Sequence, residues 1–385
     1  MKIVVIAPTY LPARRANTIQ VMKMTHAMVE AGHTVHLAVP DSAHEPKPAW
    51  EELAHFYGLE QEFPITWLAA HPRLRRYEFG WRGVRWARAW GAQMIYTRLP
   101  QAAAFASWLG SPVVFEIHDL PQGTMGPLFL RLFLSGRGAS RLVAISQVLL
   151  DDLQKRFKLP AEGQFTLVAS DAVDVQRYRN LPEPNGARLK LLDLGHVDLE
   201  PGRFTAGYTG HLYPGRGQEV ILELAARLPE INFLVAGGDP GQVSNLRAAA
   251  NSRGLKNLVL TGFVPNADLP LYQAACEVLL MPYQRSVAAS SGGDIARYLS
   301  PMKMFEYLAC GRAILSSDLP VLREVLSPQN AVLLPAEDIE AWVAALEKLR
   351  QDPERRARLG EQARCTAQDY SWSKRAARIF QGLIP

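Results

Sequence analysis

Short apolar strands alternating with helices, in two similar successive halves, predict an α/β fold built on two parallel sheets. Three observations carry this reading. Strand-like runs such as Ile3-Val-Val-Ile6, Asn232-Phe-Leu-Val-Ala236 and Val278-Leu-Leu-Met281 are almost wholly apolar, as strands covered on both faces must be. Helical segments separate them. The alternation breaks down once, among Pro, Gly and charged residues between Leu181 and Gly202, and then restarts, as expected of two domains joined by a linker. Folds of this kind bind ligands at the carboxyl ends of their strands, here expected in the cleft between the halves.

In the first half, Ile3–Ala7 reads as a buried strand, Thr18–Glu30 as a helix closed by Gly32, and Thr34–Val39 as the next strand. Met94–Thr97, Val113–Ile117 and Leu142–Ile145 follow, with Ser146 suited to cap the helix beyond. The second half runs through strand Thr205–Thr209, helix Glu219–Leu228, strand Asn232–Ala236, helix Gln242–Asn251 and strand Leu258–Thr261. Helix Leu269–Ala275, strand Val278–Met281, a helix at 301–310, strand Ala313–Ser316 and helix Ile339–Gln351 complete it. The domains are drawn at 1–185 and 205–370, with a linker at 186–204 and a final segment at 371–385.

At 385 residues, two domains are the natural expectation, and 48% hydrophobic with 21% charged residues excludes a disordered chain. A net charge of +5 suits acidic ligands, anionic lipid or nucleic acid without choosing among them. Cys276, Cys310 and Cys365 are too scattered for a metal cluster or a disulfide framework, which fits a reducing cytoplasm. No stretch has the length of a signal peptide core or a membrane span, so membrane contact would be peripheral.

Residues 300–311, Ser-Pro-Met-Lys-Met-Phe-Glu-Tyr-Leu-Ala-Cys-Gly, carry the most chemistry. Ser300 is a good N-cap, Pro301 a good first helical residue and Gly311 a good terminator. Lys303 and Glu306 then share a face in the first turns. Free amides, the helix dipole and an ammonium meet an anion there, while a carboxylate accepts hydrogen bonds from hydroxyls. A ribose-bearing diphosphate has both groups. A surface ion pair on an ordinary amphipathic helix is the alternative.

Tyr208-Thr-Gly-His-Leu-Tyr-Pro-Gly-Arg-Gly217 follows the first strand of the second half. Gly210 permits close approach of a ligand to the backbone, and Arg216 offers a guanidinium to phosphate oxygens just before a helix. Gly262-Phe-Val-Pro265 ends another strand and could line a nucleobase. In the first half, His118 stands at the end of an apolar strand, with Asp119 beside it as a candidate to fix its tautomer.

Leu11-Pro-Ala-Arg-Arg-Ala-Asn-Thr-Ile-Gln-Val-Met-Lys-Met24, Ile95-Tyr-Thr-Arg98, Phe115-Glu-Ile-His-Asp119, Tyr208-Thr-Gly210, Gly262-Phe-Val264 and Ser300-Pro-Met-Lys-Met-Phe-Glu306 together resemble the retaining glycosyltransferases of family 4. The resemblance implies the GT-B architecture: two Rossmann-like domains facing across a cleft, a metal-independent site, and a C-terminal helix around Trp372–Phe380 crossing back to the first domain. It also implies a retaining hexosyltransferase that needs no cofactor and takes a UDP- or GDP-linked sugar as co-substrate. Glu306 would hold the ribose, Arg216 and Lys303 the diphosphate, and the backbone at Leu299, Ser300, Pro301 and Met302 the phosphate oxygens. Gly210 would lie beside the phosphates, Phe263 and Val264 near the base, and His118 against the donor sugar.

Three departures from the family pattern stand out. Tyr298 occupies a place where a second glutamate is common, so Asp294 or the amides of Ser291–Gly293 are candidates for the sugar's far hydroxyls. Arg14-Arg15-Ala16-Asn17 replaces paired glycines, and Ser170-Asp-Ala-Val-Asp174 replaces Pro-Asp-Gly-Val-Asp. Asn17, Asp119 and Asp294 are therefore candidate sugar or acceptor contacts.

Residues 73–90 interleave arginines with Tyr77, Phe79, Trp81, Trp86 and Trp90. Such a stretch suits an anionic membrane carrying a lipid-linked acceptor; a helix with a solvated basic face and buried tryptophans is the alternative, and Gly80 and Gly83 weaken any continuous helix. A glycan or small-molecule acceptor is equally compatible, and nucleic acid is not expected. The rival functions are a nucleotide-sugar epimerase of the same architecture and a non-catalytic nucleotide-sugar-binding protein.

Overall fold

The computed structural model describes residues 1–42, 46–71, 74–159, 163, 165–195, 197, 199–200, 202–288 and 293–383. The chain forms two compact units, Met1–Asp171 with Trp372–Pro385, and Ala172–Ser371.

The first unit contains strands β1 (Lys2–Ile6), β2 (Thr34–Pro40), β3 (Ile65–Leu68), β4 (Met94–Thr97), β5 (Val113–Ile117), β6 (Ala139–Ala144) and β7 (Thr166–Val168). They form one parallel sheet in the order β3-β2-β1-β4-β5-β6-β7. Helices α1 (Ala16–Glu30), α2 (Trp50–Tyr57), α3 (Arg75–Trp90), α4 (Pro100–Trp108), α5 (Met125–Ser135) and α6 (Gln147–Phe157) connect them. Ile3, Val4 and Ile6 are fully inaccessible, which is why β1 reads as an unbroken apolar run. Ser146 caps α6 as its sequence suggests, accepting from the Leu149 amide at 3.4 Å.

Helix α3 is continuous despite its glycines. A Cβ on Gly80 would sit 3.2 Å from the Ala102 amide nitrogen, and one on Gly83 3.0 Å from Ile6 Cγ2. Here glycine is what close packing of the helix on its neighbours requires, and that outweighs its propensity cost.

The second unit opens with helix α7 (Pro184–Asp193) and repeats the pattern through β8 (Thr205–Thr209), α8 (Gln218–Arg227), β9 (Asn232–Ala236), α9 (Pro240–Ser252), β10 (Leu258–Gly262), α10 (Leu269–Ala274) and β11 (Val278–Met281). Then come α11 (Met302–Cys310), β12 (Ala313–Ser317), β13 (Val332–Leu334), α12 (Ile339–Gln351) and α13 (Pro353–Ala367). Its sheet, also parallel, runs β10-β9-β8-β11-β12-β13. In each unit the strand order reverses once, at β1/β4 and at β8/β11, and such a reversal opens a crevice at the carboxyl ends of the two strands.

The expected boundary at 185 and the linker at 186–204 need correction. The first unit ends at Asp171, and residues 184–193 form α7 within the second unit. Polar composition hides a buried ion pair: Arg188, in α7, donates to the Ala275 carbonyl at 2.8 Å and to the Glu277 carboxylate at 3.0 Å. Ala187 and Leu191 join the core on the same face.

Helix α14 (Trp372–Phe380) belongs to the first unit, as the sequence leads one to expect. It buries Trp372, Arg375, Ala376, Ile379 and Phe380 and packs on α1. The Arg141 guanidinium donates to the carbonyls of Ile379 and Gln381, satisfying acceptors that a helix end leaves unpaired.

Candidate active site

In the second unit, the crevice at the β8/β11 reversal gathers two cations. Helix α11 begins at Met302, one residue later than the sequence suggests, so Pro301 takes the cap position in place of Ser300. Its φ of −80° and ψ of 124° are the extended values of a residue entering a helix, and Gly311 ends the helix with a φ of 68°. This places Lys303 in the first turn. Its Nζ is buried, has no hydrogen-bond partner, and lies 3.6 Å from the Tyr208 ring centroid and 5.3 Å from that of Tyr283.

Arg216 approaches the same Tyr283 ring at 5.3 Å and donates to the Tyr283 hydroxyl at 3.1 Å, while its Nε is buried without a partner. Burial and the like charge of Arg216 push the Lys303 ammonium well below its ordinary value, with Glu306 opposing them. Two buried N–H donors on neighbouring cations, neither satisfied by protein, are groups that an anion could satisfy.

Beside them the ends of β8 and β9, with the last residue of β10, form a glycine strip. Gly210, Gly237 and Gly262 have φ of 127°, 127° and 74°, and the Gly210 and Gly237 amides donate across the strip to Ala236 and Gly262 carbonyls at 2.9 and 2.7 Å. A Cβ on Gly210 would stand 3.0 Å from Lys303 Nζ. The strip lets a ligand reach the backbone next to the ammonium.

Glu306 is half-buried one turn after Lys303. Gln273 Nε2 donates to its Oε2 at 3.2 Å and Asn266 Nδ2 to its Oε1 at 3.4 Å. Gln273 also donates to Thr209 Oγ1 at 3.1 Å, tying the carboxylate to the end of β8. Of the other expected donor contacts, Leu299, Pro301 and Val264 are buried, whereas Ser300, Met302 and Phe263 are half-buried. Asp294 is exposed and spends Oδ1 on the amides of Val287 and Ala296, both at 2.9 Å, so it braces its own loop. Ser291 and the residue after it lie outside the described residues.

In the first unit, His118 lines a cavity of about 300 Å³ together with Arg98, Glu116, Asp119 and Gln122. Asp119 does not hold the imidazole; its oxygens accept from the Leu120 amide at 2.7 Å and Gln122 Nε2 at 2.9 Å, closing the turn. Glu116, two residues back on the same face of β5, is the partner, with Oε1 2.5 Å from His118 Nε2. Burial works to raise the Glu116 carboxyl, but Arg375 and the His118 hydrogen bond outweigh it and hold the group well below the usual carboxylate range. An ionised carboxylate only accepts, so Nε2 carries the proton and Nδ1 keeps the lone pair. Burial and the Arg98 charge push the imidazole down to about 4, so it is neutral at pH 7.

Asn17 lies elsewhere, exposed on a cavity of about 840 Å³ with Tyr10, Arg15, His71, Arg76 and Tyr77. Arg98 links the two regions, donating to Gln20 Oε1 at 3.0 Å and the Asn17 carbonyl at 3.5 Å. Among the described residues, no group of three or more His, Cys, Asp or Glu side chains could hold a metal ion.

Two parallel α/β units, each with one strand-order reversal, are the architecture expected of the GT-B class, and similarity to known proteins says which family uses it here. The family model described as Glycosyltransferase Family 4 matches residues 18–167 and that for Glycosyl transferases group 1 matches 197–366. Together these span most of both units, and the chain belongs to glycosyltransferase family 4. A phosphatidyl-myo-inositol mannosyltransferase of Mycolicibacterium smegmatis is 24% identical over 94% of this chain and 88% of its own length. A GDP-mannose-dependent mannosyltransferase from the same organism is 28% identical over 54% and 53%. Among solved structures, HepE from Anabaena in complex with UDP-glucose superposes with a TM-score of 0.74 at 17% identity, covering 100% of this chain and 99% of its own. Sucrose-phosphate synthase from Thermosynechococcus elongatus gives 0.73 at 17% identity over 99% and 97%. The epimerase alternative draws no support from these matches.

Proposed function

We propose that the chain transfers a hexose from a UDP- or GDP-linked donor to a hydroxyl acceptor, with retention of anomeric configuration and without a metal. The observation that carries this reading is the pair of unsatisfied buried donors, Lys303 Nζ and Arg216 Nε, beside the Gly210 strip. Cleaving the bond between sugar and diphosphate builds negative charge on the leaving oxygen. Fixed cations in a water-poor site counter that charge as it develops, where electrostatic catalysis contributes most. Glu306 holds the ribose hydroxyls, and the α11 entry offers the backbone N–H groups of Leu299, Ser300 and Met302 to the phosphates, Pro301 having none.

No side chain in this reading attacks the sugar. The acceptor hydroxyl attacks the anomeric carbon on the leaving-group side, the bond to the diphosphate breaks, and a phosphate oxygen takes the hydroxyl proton. His118, neutral with Nδ1 free to accept, orients a sugar hydroxyl. Both bases have precedent, in a GDP-mannose-dependent relative and a UDP-glucose complex.

The acceptor side favours a lipid-linked substrate met at an anionic membrane. No described helix is long and apolar enough to cross a bilayer, so contact would be through a surface. Tyr77 and Trp81 on α3 and Leu128 and Leu132 on α5 are all exposed, α4 packs against both helices, and Arg85 and Arg131 are exposed on the same two helices. Trp86 and Trp90, both half-buried, stack on each other instead and pack against His36, so they are partly covered without being core residues. Exposed apolar side chains together with basic ones supply the two signals that stable surface binding needs.

A thermal-shift screen of nucleotide-sugars tests the donor, because a ligand specific for the folded state raises its melting temperature with affinity. A donor that stabilises the protein and is consumed only when a lipid-linked or glycan acceptor is added supports transfer. Binding without turnover across acceptors leaves a binding protein.

A further inference from the structure

The buried polar cluster that holds His118 Nε2 extends, through Arg375, to helix α14. Glu116 is 1% exposed. Its Oε1 accepts from His118 Nε2 and from Gln20 Nε2 at 2.7 Å; its Oε2 accepts from the Tyr96 hydroxyl and from Arg375 Nη2 at 2.8 Å. Arg375, 5% exposed, spends its remaining donors within the same unit. Nε donates to the Ser170 carbonyl at 2.8 Å, Nη2 also to the Ala169 carbonyl at 3.1 Å, and Nη1 faces the Tyr96 hydroxyl at 3.4 Å. Helix α14 thus supplies the buried countercharge that lets Glu116 stay ionised two residues from the cavity-lining His118 imidazole.

We infer that Arg375 is a positioning residue for sugar transfer: through Glu116 it fixes the His118 ring with Nε2 protonated and Nδ1 directed to substrate. This rests on the reading of His118 as a sugar contact. The geometry is selective. A carboxylate sharing each oxygen between two donors cannot rotate without losing several charge-assisted hydrogen bonds at once, so the ring it holds is fixed as well. Removing the guanidinium leaves a buried carboxylate opposite an imidazole. The pair then relaxes by taking up a proton, on Glu116 or on His118. Either event removes the lone pair that Nδ1 offers: a protonated Glu116 donates to Nε2 and leaves the ring proton on Nδ1, and a protonated His118 donates from both nitrogens. The charged and titratable groups around this pair are Arg98, Tyr96, Asp171, Asp119 and Arg375, and of the cations only Arg375 touches the Glu116 carboxylate.

The test uses the full chain with Arg375→Met, Arg375→Lys and Glu116→Gln. In Arg375→Met we expect kcat to fall roughly ten- to hundredfold, the loss typical of a misoriented group, with the Kd for UDP or GDP unchanged. The acid limb of the kcat–pH profile should move to higher pH, and Arg375→Lys should recover part of both effects. Nitrogen-detected NMR of the His118 ring reads the same coupling without turnover: its titration should move up from about 4 toward the ordinary range, with loss of the single tautomer. A folded Arg375→Met protein with unaltered ring titration overturns the inference. So does normal kcat in folded Glu116→Gln, which tests the relay should Arg375→Met fail to fold. An altered ring in an enzyme whose turnover never depended on His118→Ala would instead refute the role given to His118.

Discussion

Lys303 Nζ stands 3.6 Å from the centre of the Tyr208 ring, buried and without a hydrogen-bond acceptor. An aromatic face offers an ammonium part of the attraction that water provides but none of its hydrogen bonds. The ligand-free site is therefore held at an energetic cost that a bound anion relieves. On the proposed donor-binding role of Lys303, stability and function oppose each other at this position.

Lys303→Met should accordingly stabilise the ligand-free protein by about 1 kcal/mol and raise its melting temperature, because a buried charge is exchanged for an apolar chain of similar length. The same variant should lose about two to three powers of ten in kcat and all stabilisation by nucleoside diphosphates. Paired melts and rates check both halves.

Donor binding should be linked to protons. Burial and the adjacent Arg216 lower the Lys303 pKa, and a diphosphate would raise it again, so binding takes up a proton wherever the free lysine is deprotonated. Affinity for UDP or GDP should then weaken as pH rises through the depressed pKa. Calorimetric titrations in buffers of different ionisation enthalpy measure the uptake; equal apparent enthalpies throughout the alkaline range would contradict it.

Gly210→Ala should impair the same step by a different route. The φ of 127° is one that side chains rarely adopt, and the new Cβ would meet Lys303 Nζ at 3.0 Å. A destabilisation of about 1–3 kcal/mol is expected, with weakened diphosphate binding. Denaturant melts with and without UDP check it.

Asp171, next to the buried Arg375 cluster, is pushed up to about 7 by its burial, against the pull of Arg375. A group whose folded pKa is raised contributes stability that is complete below its unfolded pKa and disappears as pH rises through the folded value. His118, lowered to about 4, has the opposite slope: its contribution is lost as pH falls from 6.5 toward 4. Asp171→Asn keeps the histidine and removes the aspartate, so its stability relative to the parent should rise as pH goes from 3.8 to about 7 and level off above. Melts across that range read the difference directly.

Much of this was legible in the sequence. The strands at Met94–Thr97, Val113–Ile117, Thr205–Thr209, Asn232–Ala236 and Val278–Met281 have the predicted ends, because buried parallel strands are short apolar runs with little competing pattern. Lys303, Glu306 and Arg216 stand out in the sequence because local spacing puts them near helix starts, and that placement is what the structure has. Tyr283, Gln273 and Asn266, which complete that site, come from other elements and carry no local signature.

Arg375 and Glu116 were missed for a related reason, a contact spanning most of the chain; a glutamate inside the apolar strand Val113–Ile117 was the one visible sign. Helix α7 reads as linker in the sequence because Arg188 looks solvated until Glu277 is placed beside it.

The most direct test is equilibrium binding of UDP and GDP, each against its nucleoside monophosphate, to the parent and to Lys303→Ala and Arg216→Ala. The account expects one diphosphate to bind the parent and to weaken at least about tenfold in each variant, the monophosphate changing less, as loss of a charged hydrogen bond to the outer phosphate requires. Diphosphate affinity that is the same in all three proteins would contradict it.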